Sequence, residues 1–217
     1  PELILSNGTG GFSADGREYV IHTDGDTRTP APWSNVLANP SFGSVVSESG
    51  QAYTWSENAH EFRLTPWDND PVADSSGEAF YIRDEFTGEY WSPTALPVQG
   101  PGSFTTRHGF GYSIFEHDRE AIHSTLTTFV ALDAPIKYSV IKLRNDSTVP
   151  RKLSVTGYVE WVLGDLRSKS AMHVVTEQDP QSGALFARNA YNTEFSGRVG
   201  FFQVEAQSRT FTADRNE

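Results

Sequence analysis

Residues 152–162 alternate with a period of two: Leu153, Val155, Gly157, Val159 and Trp161 fall on one side, and Lys152, Ser154, Thr156, Tyr158 and Glu160 on the other. Only an extended chain sorts side chains this way, because successive Cβ atoms of a strand point to opposite faces of a sheet. Leu153, Val155, Val159 and Trp161 are therefore expected in a core. Two further runs precede this one. Residues 122–130 are rich in β-branched side chains, and residues 138–144 contain Val140, Ile141 and Leu143. The breaks Asp133-Ala134-Pro135 and Asn145-Asp146-Ser147 read as hairpin connections, so three consecutive antiparallel strands are expected.

Shorter strand-like runs cover much of the remainder: 11–13 and 17–21 around the turn Ala14-Asp15-Gly16, then 42–47, 51–55, 79–84, 90–92, 104–108, 112–116, 174–177, 184–189, 199–204 and 209–212. No segment sustains a helical period, and there is no internal repeat or linker. The 14 Phe, 8 Tyr and 5 Trp supply large rings to fill the space between two sheets. The expected fold is all-β, an antiparallel double sheet with residues 1–217 as a single domain.

A formal net charge of -11, with no basic run, disfavours nucleic acid as a partner. The absence of Cys removes disulfides, thiolate catalysis and Cys-based zinc sites, and fits a reducing, cytoplasmic setting. The six His fall in no H-x-x-x-H or H-E-x-x-H arrangement, so no metal site is expected. No stretch approaches the roughly 20 apolar residues of a membrane span, and this segment is expected not to insert in a membrane. Its strand-like start and its stop soon after an apparent strand suggest a piece of a longer protein.

The region between Trp55 and Gly77 is longer than a connector needs, and long loops in compact domains tend to be functional. It holds Trp55, Glu57, Asn58, His60, Glu61, Arg63, Trp67, Asp68, Asn69, Asp70 and Asp74. Sugar recognition uses flat aromatic faces for the apolar side of a pyranose and planar polar groups for adjacent hydroxyls. Both types are present here. The alternative is that Trp55 and Trp67 cap the core while the polar groups brace the loop. Glu57, Glu61, Asp68 and Asp70 are carboxylates from which a glycosidic pair could be drawn. Gly8-Thr9-Gly10-Gly11 lacks the phosphate-binding patterns, whereas Arg107-His108-Gly109-Phe110-Gly111-Tyr112 reads as a tight turn presenting Arg107 and Tyr112.

Several blocks, in order along nearly the whole chain, resemble the glycoside hydrolase family 94 part of cyclic β-1,2-glucan synthases. They are residues 7–13, 15–19, 29–36, 64–71 (Leu-Thr-Pro-Trp-Asp-Asn-Asp-Pro), 91–97 (Trp-Ser-Pro-Thr-Ala-Leu-Pro), 107–112, 158–164 and 183–189. More distant similarity extends to cellobiose and chitobiose phosphorylases. The resemblance implies an antiparallel super-sandwich similar to the galactose mutarotase fold, normally followed by a helical barrel that carries the catalytic Asp. It implies no catalytic residue in this segment and no cofactor, with inorganic phosphate as co-substrate of the whole enzyme. The implied partners are a β-glucan oligosaccharide, the helical barrel and a second copy in a homodimer. The implied location is the cytoplasm or the cytosolic part of an inner-membrane enzyme. Carbohydrate or interface contacts are expected from Trp55, Glu61, Arg63, Trp67, Asn69, Asp70, Arg107 and Tyr112. Glu61, Trp67, Asn69 and Asp70 keep the family pattern; Asp68, His60 and Phe62 depart from it.

Two other functions fit the same residues: an autonomous carbohydrate-binding module, and a mutarotase-like epimerase using a His and a Glu at an anomeric carbon. The second rests on fold analogy alone.

Overall fold

The computed structural model describes residues 3–24, 27–206 and 209–212. Its strands, in chain order, are β1 (Leu3–Ile4), β2 (Gly10–Ser13), β3 (Glu18–Thr23), β4 (Ser34–Asn39), β5 (Phe42–Ser47), β6 (Ala52–Ser56), β7 (Glu78–Asp84) and β8 (Tyr90–Trp91). They continue with β9 (Phe104–Gly109), β10 (Tyr112–Arg119), β11 (Ile122–Val130), β12 (Lys137–Asn145) and β13 (Leu153–Val159). After a single helical turn, α1 (Arg167–Ser170), come β14 (Val174–Gln178), β15 (Leu185–Asn189) and β16 (Val199–Phe202).

A seven-stranded antiparallel sheet in the order β1-β2-β3-β9-β10-β11-β12 forms one layer. Three three-stranded sheets accompany it: β4-β5-β6, β13-β7-β8 and β14-β15-β16. β11, paired with β10 on one side and the edge strand β12 on the other, alternates buried and half-buried through all its residues, so one of its faces is turned to the core. The core lies between the layers. Leu37, Phe42 and Val46 of the β4-β5-β6 sheet meet Phe115, Leu126 and Val130 of the large sheet. Ile82 and Trp91 of the β7–β8 pair meet Ile122. A third cluster, Phe62, Leu163, Val174, Ala187 and Phe195, attaches the β14-β15-β16 sheet through two connecting segments. Each Val, Leu, Ile or Phe among them contributes on the order of 1.5–3 kcal/mol when fully buried.

The antiparallel all-β expectation holds, and so does the hairpin at Ala14-Asp15-Gly16; β7 and β8 also pair antiparallel. Three expectations do not. β13 is not the third strand after β12; it pairs with β7, from Leu153 opposite Asp84 to Val159 opposite Glu78. The reason is a buried carboxylate: Asp84 on β7 draws in Arg151, whose Nε lies 2.6 Å from Oδ2, while Arg151 also donates to the carbonyl of Glu120. The chain is thereby lifted off the large sheet between β12 and β13. As an edge strand, β13 leaves Val155 46% exposed, so Val155 is not in the core; Leu153 and Trp161 do pack against core clusters. Finally, residues 209–212 form no strand, because the Arg209 guanidinium folds back to the carbonyls of Val204 and Ser182.

Candidate functional site

Residues 57–77 have no regular structure beyond isolated bridges, and the loop begins with a turn that Asn58 builds. Asn58 Oδ1 accepts from the backbone N–H groups of His60 and Glu61, each at 2.9 Å. The chain then runs extended. Phe62 and Leu64 point inward, Phe62 stacking on Phe195 with ring centroids 4.6 Å apart, and Arg63 between them points out. Arg63 bridges Trp55 on one side and Gly164 on the other, so this stretch extends the β4-β5-β6 sheet by one short rung. Thr65 closes the extension with a hydroxyl bond of 2.7 Å to Glu78. Pro66 packs directly on Gly77, where a Cβ would lie 2.4 Å from the proline ring.

This geometry sets Trp67 on the surface, 44% exposed, with one side resting on Tyr53 at a centroid distance of 4.8 Å. Trp67, Arg63, Pro66 and Asp68 form one wall of a shallow groove of about 260 Å³; Val162, Asp165, Leu166, Arg167 and Ser168 form the other. Arg63 donates to the carbonyls of Asp165 at 3.1 Å and Ala59 at 3.3 Å, which fixes the guanidinium at the groove wall and leaves donors over. Asp165 accepts from Lys169 at 2.6 Å, and that bond holds its carboxyl below the usual carboxylate range. Arg167 is paired with Glu160 at 2.5 Å. The groove thus offers an indole face, fixed cationic donors and an ionised acceptor.

The other expected site residues are distributed differently. Trp55 lies half-buried at the end of β6, tilted against Tyr53 at 5.4 Å. Glu61 is exposed and bonds His60 at 2.7 Å. Asn69 is exposed on the loop, and Asp70 accepts from the backbone N–H groups of Val72 and Ala73. Arg107 and Tyr112 stand on the large sheet, where both bond Glu18: Arg107 Nε to Oε2 at 2.8 Å and Tyr112 Oη to Oε1 at 2.6 Å. That Arg107 bond is also the chief reason the Glu18 carboxyl sits below its ordinary range. The Arg107–Tyr112 segment is a β9–β10 hairpin, not part of the groove. Sequence reasoning passed over Tyr53 and residues 165–168. Tyr53 was findable, since it and Trp55 share one face of β6 at a spacing of two. The wall at 165–168 carries no pattern that announces it.

Among the described residues, no group of three or more His, Asp or Glu gathers as a metal site, and no helix is long and apolar enough to cross a membrane.

Residues 17–217 match the family model for the glycosyl hydrolase 94 supersandwich domain. The chain belongs to that family. This supersandwich domain is 42% identical over 222 aligned residues, covering 100% of the chain, to the cyclic beta-(1,2)-glucan synthase NdvB of Rhizobium meliloti (strain 1021). It is 32% identical, over 94% of the chain, to an N,N'-diacetylchitobiose phosphorylase of Vibrio furnissii, and 31% identical, over 72%, to a solabiose phosphorylase of Paenibacillus borealis. The supersandwich domain spans 8% of the length of the first relative, 26% of the second and 20% of the third.

Proposed function

We propose that this supersandwich domain is a non-catalytic carbohydrate-binding and scaffold module of a larger family 94 enzyme acting on β-linked glucooligosaccharides, a cyclic β-1,2-glucan synthase or a related phosphorylase. The groove between Trp67 and residues 162–168 carries this reading. It lies just below the roughly 300–1,000 Å³ of sites for drug-sized ligands, which suits about one sugar ring. The Trp67 face suits the C–H side of a pyranose, and Arg63 and Asp165 suit its hydroxyls as donor and acceptor.

A proton donor for glycosidic cleavage has to hold its proton near neutral pH. Asp165 is shifted the other way, towards the ionised form, which fits a hydrogen-bond acceptor. Among the described residues the acid whose carboxyl is raised is Glu48, which lies elsewhere, closed in by Thr29 and Trp33. In this reading the acid that protonates the glycosidic oxygen comes from a helical barrel elsewhere in the enzyme, with inorganic phosphate as the attacking group. The domain braces that barrel and presents Trp67 to the sugar.

Phosphorolysis of linear β-1,2-glucooligosaccharides tests this. The full-length protein is expected to release glucose 1-phosphate and the supersandwich domain alone to release none. Release by the domain alone would overturn the non-catalytic reading. Binding of the sugars by the domain without the barrel would make it an autonomous binding module.

A further inference from the structure

The outer face of the β4-β5-β6 sheet carries two cross-strand rows. Val36, Val45 and Tyr53 face one another in the first; Gly43, Trp55 and Arg63 do so in the second. Cross-strand partners share a face, so these side chains form one surface. Val36 is 59% exposed. At Gly43 an added Cβ would lie 2.3 Å from the Trp55 ring, so the half-buried indole lies directly across the glycine. Trp55, Tyr53 and Trp67 follow one another at centroid spacings of 5.4 and 4.8 Å, with successive planes inclined by 34° and 48°. The result is a curved aromatic track. One end, at Trp67 and Arg63, is the wall of the groove.

We infer that this track is a binding platform for several consecutive units of a β-linked glucose chain whose end occupies the groove. The inference rests on the proposed reading of the groove and extends it from one ring to a chain. Three features select this occupant. The track runs into the groove without a break, so a chain seated there is led onto it. Trp55 lies over Gly43 and Trp67 is 44% exposed, a run of aromatic surface of the kind on which the apolar faces of pyranose rings lie. A neutral glucan also meets no repulsion from a domain of net charge -11.

The test is calorimetric titration of the full-length protein with the disaccharide and the octasaccharide of β-1,2-linked glucose. Trp55→Ala is expected to weaken octasaccharide binding by about three- to tenfold and leave the disaccharide unchanged. Trp55→Phe keeps a ring over Gly43, protects the fold, and is expected to give a smaller loss with the same selectivity. Arg63→Ala should weaken both ligands. If Arg63→Ala weakens both while the folded Trp55 variants bind the octasaccharide like the wild type, the platform is refuted and the groove stands. If Arg63→Ala changes neither, the groove reading fails and the platform with it. A Trp55→Ala protein that loses its association state in light scattering and keeps its octasaccharide affinity would assign the face to a protein contact and overturn the inference.

Discussion

Glu78 on β7 and Lys137 on β12 form an ion pair across the sandwich, each side chain only 15% exposed. Thr54 of β6 bonds both partners, and Thr65 of the groove loop bonds Glu78. One buried contact therefore joins three sheets and the segment that leads to Trp67. Burial disfavours the charged carboxyl, but Lys137 and the two hydroxyls outweigh it and hold Glu78 below its ordinary value of 4.5.

Removing one partner leaves the other charge uncompensated. Glu78→Gln is expected to cost about 3 kcal/mol, the low end of the range for buried pairs because neither group is sealed from water. Adding Lys137→Met should recover most of that loss. Because the folded carboxyl titrates below the unfolded one, its contribution is complete above pH 4.5 and is lost as pH falls through the folded value. Urea midpoints against pH, compared for wild type and Glu78→Gln, check both statements.

Glu48 is expected to show the opposite slope. Burial raises its carboxyl, and bonds from Thr29 and the Trp33 N–H offset this only in part. The folded state then holds a proton that the unfolded chain has released, so stability falls as pH rises from 4.5 through the folded value. Glu48→Gln should melt higher than wild type at pH 8, with the gap closing near pH 4. Equal gaps at both pH values would refute the assignment.

His117 is 2% exposed, stacks on Phe104 at 3.9 Å and bonds the carbonyl of Ser103 through Nδ1. Burial lowers its pKa below 6.5, so the folded protein holds it neutral. Its contribution is complete above pH 6.5 and is lost as pH falls towards the folded value. His117→Gln should flatten this part of the acid limb, above the range where Glu78 acts, in thermal melts taken at closely spaced pH.

Trp67→Ala separates bracing from recognition. A fully buried Trp would cost about 3–5 kcal/mol on truncation. Trp67 is 44% exposed and rests on Tyr53, so about 1–2 kcal/mol is expected. Oligosaccharide affinity of the full-length protein should fall by more than that loss explains. A melting shift that accounts for the whole effect would assign Trp67 to bracing.

The sequence announces strands through local alternation, and alternation is silent about partners. Residues 152–162 show it: their extended form was legible, but the pairing with β7 depends on Asp84, distant in sequence, capturing Arg151. The same logic separates the halves of the site. Trp67 and Arg63 were legible because residue types suited to a sugar sit in an over-long loop. The opposite wall at 165–168 is ordinary in composition and acquires meaning only by packing against Arg63. Arg107 and Tyr112 read in the sequence as a tight turn of their own, and their shared bond to Glu18 places them in a cluster on the large sheet, apart from the groove.

The parting of β12 and β13 bears on how the molecule comes apart. The connector between them ties the edge of the large sheet to the β7 sheet through Arg151, while Glu78 and Lys137 tie the same two layers at the other end of β7. Separating the two layers breaks charged contacts at both ends of β7, which couples the opening of one to the other. Local opening of one layer alone is disfavoured by that arrangement, and the two are expected to melt in one transition.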